Sequence, residues 1–135
     1  MKEYVSVDVE TTGLAPKQDK IIEIGAVRVR DGQIVGSFTC FVNPGRILPA
    51  HITELTGILQ EQVDEAETME SVLPAFLEFA GDLPLMGHRI LFDYGFLKRA
   101  AVNMRLDFER SGVDTLKLSR QFLSELPSRR LSALC

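Results

Sequence analysis

The sequence contains no apolar run long enough to cross a membrane and no recognisable secretion signal. Its 135 residues open directly in a strand pattern, MKEYVSVDVE, without the basic and apolar segments of a signal peptide. No stretch approaches the roughly 18 consecutive apolar residues of a transmembrane helix. We therefore expect a cytoplasmic protein with no membrane partner.

Paired metal-binding cysteines and histidines are also lacking. Cys40 and Cys135 lie far apart, form no C-x-x-C pair and have only His51 and His88 as nitrogen partners. This pattern gives little support to a zinc site. We expect two free thiols in a reducing compartment.

Positive charge is in short supply. The net charge of -4 disfavours a broad basic surface for nucleic acid. It does not exclude an enzyme that acts on nucleic acid, because carboxylates that hold divalent cations count as negative in a tally without metal.

The length and the early strand pattern predict one domain that begins with a β-meander. A chain of 135 residues with 45% apolar content suffices for one hydrophobic core, so we expect a single domain over residues 1–135. Three strand-like segments come first, and Asp31-Gly32 between the second and third is a strong hairpin signal. Residues 4–43 should therefore form an antiparallel meander.

The second strand-like segment, KIIEIGAVRVRDG, changes its apolar face along its length. Strand alternation places Ile22, Ile24 and Ala26 on one face, whereas Val27 is an apolar position of the other. A bulge or twist is therefore expected near Gly25-Ala26.

The later chain changes to helical periodicity. ITELTGI is typical of a short helix or turn, and residues 69–80 predict an amphipathic helix, in which Pro74 is comfortable only if the helix begins near Ser71. LPLMGH is expected to be a short buried strand, followed by a helix over residues 92–104 and another that begins near Asp114. The fold class is α/β, with a mixed sheet in which the meander is followed by β-α units.

Three acidic residues indicate a metal site. Asp8 and Glu10 are two apart in the first strand, so they share one face while Val5, Val7 and Val9 take the other. Two carboxylates on one face suit a hard divalent cation, and Asp93, in the first turn of a helix after LPLMGH, is a candidate third ligand. The alternatives are edge-strand surface positions for Asp8 and Glu10 and a favourable helix-dipole position for Asp93.

Five segments occur in an order that resembles a known family: VDVETTGL, IIEIGAV, ELTGI, GHRILFDYGFL and VDTLKLSR. They resemble the DnaQ-like 3′-to-5′ exonucleases of the DEDD superfamily, which includes bacterial DNA polymerase III proofreading domains. The resemblance implies a ribonuclease-H-like fold and removal of nucleoside monophosphates from DNA 3′ ends, in proofreading or repair. It also implies two divalent cations, Mg²⁺ or Mn²⁺, held by Asp8, Glu10 and Asp93.

The partners that the resemblance implies are single-stranded or frayed 3′ ends of DNA and a DNA polymerase, with RNA left open as a substrate. Backbone N–H groups of Thr11, Thr12 and Gly13 are expected near the terminal nucleotide. Leu14 is expected as an apolar wedge against its base.

Further substrate contacts follow from the same resemblance. Leu55 and Thr56 match the stretch on the other side of the base, and Phe92 matches an aromatic residue near the sugar. Two alternatives stay open: Leu55 and Phe92 as core residues, and Thr56-Gly57 as a helix stop.

His88 matches a substrate-binding position at which the family often shows His-Asn. Here the next residue is Arg89, so the contact usually made by that asparagine is replaced. Arg89 is expected either to reach a phosphate or, more simply, to lie exposed to solvent.

Family members carry a third motif, with a histidine or tyrosine general base and a last aspartate, beyond the segment that matches RRLSALC. His51 and His88 both precede the helix near Asp114, so no residue of this sequence is assigned as the base. We expect a domain truncated before its last helix and third motif, weak or inactive in this form, that self-associates through an uncovered sheet face. The alternatives are a natural fragment that another chain completes, and a domain of the same fold that binds nucleic acid or protein without hydrolysis.

Overall fold

The computed structural model of the chain describes residues 3–106 and 108. The helix predicted to begin near Asp114 lies outside these residues. In chain order, the elements are β1 (Glu3–Thr11), β2 (Ile21–Arg30), β3 (Gln33–Phe41), α1 (Ala50–Thr56), α2 (Gln60–Asp64), α3 (Met69–Ala80), β4 (Leu85–Met86) and α4 (Ile90–Asn103).

The four strands form one mixed sheet in the order β3-β2-β1-β4. β1 pairs with β2 and β2 with β3 in antiparallel fashion, whereas β1 and β4 run parallel. Asp31 and Gly32 connect β2 to β3 with φ angles of 51° and 82°, as a tight hairpin requires. The predicted meander, the short fourth strand and the mixed α/β architecture are confirmed.

A β-bulge interrupts the pairing of β1 with β2 next to the acidic residues of β1. Glu10 pairs with Glu23, and Thr11 pairs with Ile21, which leaves Ile22 as the extra residue. A bulge of this kind turns the side chains on its two sides to different faces. Ile21 accordingly joins the main core, and Ile22 does not.

This bulge corrects two predictions about β2. Ile22 does not share a face with Ala26, because the bulge directs Ile22 into a second apolar cluster, formed with Leu48, Ile52, Ile58 and Val63. The register is continuous at Gly25 and Ala26, so the irregularity predicted there is absent. The second register shift lies between Arg28 and Val29, opposite β3.

The main core lies between one face of the sheet and helices α3 and α4. Val5, Val7 and Val9 of β1 are buried there. α3 has the predicted bounds, but it begins at Met69 rather than near Ser71, so Pro74 falls in the second turn. Its ring nitrogen cannot donate the hydrogen bond that the helix would otherwise make there.

The remaining helices differ from expectation at their ends. α1 is the short helix predicted for ITELTGI, and α4 begins at Ile90, two residues earlier than predicted. α2 was not predicted; its start is stabilised by the Leu59 N–H, which donates to Gln62 Oε1 at 2.8 Å. None of the helices in the described part of the chain is long and apolar enough to span a membrane.

Candidate metal and nucleotide site

Asp8 and Glu10 lie side by side on the face of β1 that points away from the main core. Both are half-buried, whereas the neighbouring Val7 and Val9 are buried on the core face. β1 lies inside the sheet and not at its edge, so the edge-strand explanation of these acids is excluded. Two half-buried carboxylates within a sheet need positively charged or hydrogen-bonding partners.

Asp93 lies beside the same strand. β4 pairs only with the first half of β1, at Val5 and Ser6, so the second half of β1 lies against the junction between β4 and α4. The Val9 N–H donates a hydrogen bond to the Asp93 carboxyl group. The strand-to-helix junction therefore delivers Asp93 to β1, as the sequence predicted.

The carboxyl group of Asp93 is in an unusual environment. Asp93 is 2% exposed, and its Oδ2 atom is buried without a hydrogen-bond partner. Burial, and next the charge of Asp8, raise the pKa of Asp93 to about 8; Glu10 adds to this, while Arg89 and the Val9 N–H oppose it. A buried carboxylate oxygen beside two further carboxylates is the environment that a divalent cation stabilises.

The acids nevertheless do not converge into a complete ligand set. Within residues 3–106 and 108, no three His, Cys, Asp or Glu side chains are close enough together to hold a metal ion. Asp8 and Glu10 act on the carboxyl group of Asp93 electrostatically. Assignment of metal ligands to Asp8, Glu10 and Asp93 thus stays a prediction.

Gly87 makes the approach of Asp93 to β1 possible. A β-carbon at this position would lie 2.5 Å from the Val7 carbonyl oxygen and 3.9 Å from Asp93 Oδ2. Only glycine fits without a shift of the backbone. Sequence reasoning did not single out Gly87, although a glycine directly after a short buried strand is a signal for close approach of two backbone segments.

A polar network fixes the loop that follows β1. Thr12 is buried, and its hydroxyl donates to Asp19 Oδ1 at 3.0 Å and accepts from the Lys20 N–H at 3.0 Å. The second Asp19 oxygen accepts from the Ala15 N–H at 3.0 Å. A β-carbon on Gly13 would overlap the Asp19 carboxyl group, so a larger residue here would displace that group from Thr12 and the Ala15 N–H.

This network changes the part expected of Thr12. The Thr12 N–H donates to the Lys20 carbonyl oxygen at 2.9 Å, so it is not available to a nucleotide. Thr12 holds the loop instead, together with Asp19, which sequence reasoning missed. Thr11 also bonds within the loop, because its hydroxyl donates to the Gly13 carbonyl oxygen at 2.5 Å.

Two apolar side chains project from the surface near the ends of β1 and α1. Leu14 is 76% exposed and Leu55 is 79% exposed. Leu55 is therefore not a core residue, and both side chains are accessible to a ligand. Apolar side-chain surface in contact with water is unfavourable. Contact of Leu14 and Leu55 with a base would bury this surface and favour binding.

Thr56 terminates α1. Its hydroxyl donates to the Ile52 carbonyl oxygen at 2.7 Å and accepts from the Ile58 N–H at 3.1 Å. Gly57, with φ of 79°, is the left-handed residue that ends the helix. The helix-stop alternative is confirmed for this pair, and the Thr56 hydroxyl is already engaged.

His88, Arg89 and Phe92 lie at the start of α4. His88 and Arg89 are exposed, and Phe92 is half-buried. The Phe92 ring packs on Phe96, with 4.9 Å between the ring centroids. The central carbon of the Arg89 guanidinium lies 4.2 Å from the Phe92 centroid. The expected exposure of Arg89 is confirmed.

A fourth acid, Glu23, borders the site and was not singled out from the sequence. It pairs directly with Glu10 across β1 and β2 and is half-buried. Burial, and next the charge of Asp8, raise the pKa of Glu23. Its signal in the sequence is an acid within the apolar strand IIEIGAV.

Comparison with known proteins gives consistent matches. A family model described as an exonuclease matches residues 5–135. The PolC-type DNA polymerase III of Clostridium perfringens is 45% identical over 130 residues, which cover 96% of this chain and 9% of that protein. The PolC-type DNA polymerase III of Bacillus subtilis is 42% identical over 135 residues, which cover 98% of this chain and 9% of that protein. The chain spans about a tenth of the length of these relatives.

Solved structures share the fold. Exonuclease I of E. coli in complex with a dT13 oligonucleotide matches with a TM-score of 0.69 and 16% identity, over 79% of this chain and 25% of that chain. At this identity the likeness concerns the fold, which is ribonuclease-H-like. The family match over nearly the whole sequence and the identity to the PolC-type relatives show that the chain belongs to the DnaQ-like exonuclease family.

Proposed function

We propose that this chain is a metal-dependent 3′-to-5′ exonuclease that removes nucleoside monophosphates from the 3′ ends of DNA, in proofreading or repair. The observation that carries the proposal is the placement of Asp93. Its buried, unpartnered Oδ2 atom lies beside the strand that presents Asp8 and Glu10. No structural need of the fold explains an unpaired carboxyl oxygen at this depth.

The three acids supply the oxygen ligands that Mg²⁺ and Mn²⁺ prefer. Asp8 and Glu10 would hold cations from the sheet and Asp93 from the helix. When bound, such cations generate a hydroxide nucleophile and stabilise the leaving oxygen of a phosphodiester. The charge of the cations would also lower the pKa of Asp93 and keep its carboxylate ionised.

The surrounding residues would position the end of the strand. Leu14 and Leu55, both exposed, would contact the terminal base from two sides. The loop that Asp19 fixes would place Thr11 and Gly13 near the nucleotide, and His88 and Phe92 would contact it from the start of α4. The PolC-type relatives support a DNA polymerase as partner, and a contact with the 2′-OH would decide between DNA and RNA.

The test is hydrolysis by the full-length protein with single substitutions in the site. Asp8→Asn and Asp93→Asn should each reduce Mg²⁺-dependent shortening of a single-stranded oligonucleotide by about a hundredfold or more, as expected when a charge that acts in the transition state is lost. Asp82→Asn, a substitution of an exposed acid outside the site, is the matched control and should retain full activity.

A label on the 5′ end of the oligonucleotide shows the direction of digestion. With a 5′-labelled oligonucleotide, 3′-to-5′ digestion gives a ladder of progressively shorter labelled products. Immediate release of the labelled nucleotide would contradict the proposed direction, and full activity of both site variants would contradict the proposed ligands.

A second candidate function is binding of nucleic acid or protein without hydrolysis. It is favoured by the lack of a complete ligand set within residues 3–106 and 108. Calorimetric titration separates the two, because an exonuclease should bind Mn²⁺ through Asp8, Glu10 and Asp93, and Asp93→Asn should weaken that binding. A binding module should show no Mn²⁺ affinity that depends on these residues.

A further inference from the structure

Arg89 occupies the junction between β4 and α4, at the mouth of the acidic site. It is the residue that precedes α4, it is exposed, and its carbonyl oxygen accepts from the Asp93 N–H at 3.0 Å. Arg89 therefore adds a positive charge beside Asp93.

The guanidinium group is held in place by an aromatic ring. Its central carbon lies 4.2 Å from the Phe92 centroid, and Phe92 is in turn supported by Phe96. Stacking of this kind restrains the guanidinium plane and leaves the N–H groups at its edge available. The ring therefore packs against the guanidinium of this otherwise exposed side chain.

The donors of this guanidinium are not used within the described part of the chain. In residues 3–106 and 108, the Arg89 side chain makes no hydrogen bond, and no carboxylate oxygen lies within 4.0 Å of it. Because Arg89 forms no close ion pair with Asp93, its role is not simply to neutralise that carboxylate. An arginine that packs on a ring and keeps its donors free is suited to bidentate contact with an anion such as a phosphate.

The residues around the site are acidic, so a positive charge at Arg89 would favour the approach of an anionic strand. Asp8, Glu10, Glu23 and Asp93 all border the site, and they would repel a polyanionic strand that approached it. Arg89 lies near enough to Asp93 to act on it electrostatically. A positive charge at this point would offset the repulsion along the path of the strand.

We propose that Arg89, restrained by Phe92, binds a backbone phosphate of the nucleic-acid strand whose end enters the acidic site. This inference rests on the proposed function, since it assigns a substrate contact to the same site. The ligand is a phosphodiester group. The N–H groups at the edge of the guanidinium would bind it whatever the base sequence of the strand. Arg89 would thus set the affinity for the strand, while the acids would set the rate of its cleavage.

The experiment measures binding separately from hydrolysis. The full-length protein is titrated with fluorescent single-stranded DNA and RNA oligonucleotides in Ca²⁺, under conditions in which no shortening is detected, at several salt concentrations. Loss of one phosphate contact lowers the slope of log K against log salt by about 0.7 for a single strand. Arg89→Gln should lower the slope by this amount and raise the Kd about fivefold at 0.1 M salt.

Arg105→Gln is the matched control. Arg105 is also exposed, but it lies just beyond the other end of the 14-residue helix α4, which is itself about 21 Å long. Its substitution removes the same charge and should change the Kd less than twofold. Phe92→Leu keeps the charge of Arg89 and removes the ring, so it should show part of the Arg89→Gln defect. Circular dichroism of each variant verifies folding.

The outcomes separate this inference from the proposed function. An Arg89→Gln protein with the wild-type Kd and the wild-type salt slope overturns the inference, even where wild-type protein digests the strand. A variant with unchanged Kd and reduced turnover also overturns it, because Arg89 then acts only on Asp93. A wild-type protein that binds and digests no strand overturns the proposed function, and the inference with it.

Discussion

Glu23 of β2 lies directly across the sheet from Glu10 of β1, one residue from the bulge at Ile22. Like charges directly opposite in an antiparallel pair usually destabilise a sheet, and burial and then the charge of Asp8 raise the pKa of Glu23. A divalent cation bound beside these carboxylates would offset the cost of burying them. The arrangement links local strand geometry to the proposed metal site.

The first prediction concerns this pair. In the presence of EDTA, Glu23→Gln should increase the free energy of unfolding by about 0.2–1 kcal/mol, because it removes a half-buried charge and the repulsion between that charge and Asp8. Urea unfolding followed by circular dichroism measures the change. Glu78→Gln, which replaces an exposed acid on α3, is the control and should have little effect. A loss of stability on Glu23→Gln would show that the carboxylate has a stabilising partner instead.

The second prediction concerns the pH dependence of stability. The pKa of Asp93 is raised from 3.8 in the unfolded chain to about 8 in the folded protein, mainly by burial and then by Asp8. The folded state therefore binds an additional proton between these values, and stability should fall as pH rises from about 4 to about 8. The slope from this group approaches 1.4 kcal/mol per pH unit.

Asp93→Asn tests the origin of that slope. The variant cannot ionise at position 93, so in EDTA its unfolding free energy should vary less with pH and exceed that of the wild type near pH 8. Mn²⁺ should restore stability to the wild type at pH 8 and much less to the variant, because a bound cation stabilises the folded state. Equal pH profiles of the two proteins would exclude Asp93 as the responsible group.

The third prediction concerns the close approach at Gly87. Gly87→Ala forces a β-carbon against the Val7 carbonyl oxygen and should destabilise the fold by about 1–3 kcal/mol, as overpacking usually does. It should also displace Asp93 and reduce Mn²⁺ affinity. Gly25→Ala is the control, since a β-carbon there meets nothing closer than 3.9 Å. Equal stabilities of the two variants would show that β4 can shift at no cost.

Much of this fold follows from periodicity in the sequence. The alternation in VSVDVE placed Asp8 and Glu10 on one face, and the period of residues 69–80 gave α3 its bounds. The position of Asp93 followed from the order of a short strand and a helix. These features depend on local pattern, which a single sequence displays.

The features that were missed depend on contacts between distant segments. The bulge at Ile22 is a matter of register between β1 and β2, and the need for glycine at position 87 arises from the Val7 carbonyl oxygen. Thr12 was expected to contact a nucleotide. Its hydroxyl instead donates a hydrogen bond to Asp19 within the loop, and the periodicity of the sequence does not show this pairing. Such pairings are visible only once the backbone is folded.

The last prediction concerns that loop closure. Asp19→Ala removes two hydrogen bonds, from Thr12 and from the Ala15 N–H, and leaves the buried Thr12 hydroxyl with one partner fewer. The cost should be about 1–3 kcal/mol of unfolding free energy. Because the same loop carries Leu14, the KM for a single-stranded oligonucleotide should rise more than kcat falls. Asp82→Ala, at an exposed position, should change neither quantity. A lower kcat with an unchanged KM would instead indicate that Asp19 affects Asp8, Glu10 and Asp93 and not substrate binding.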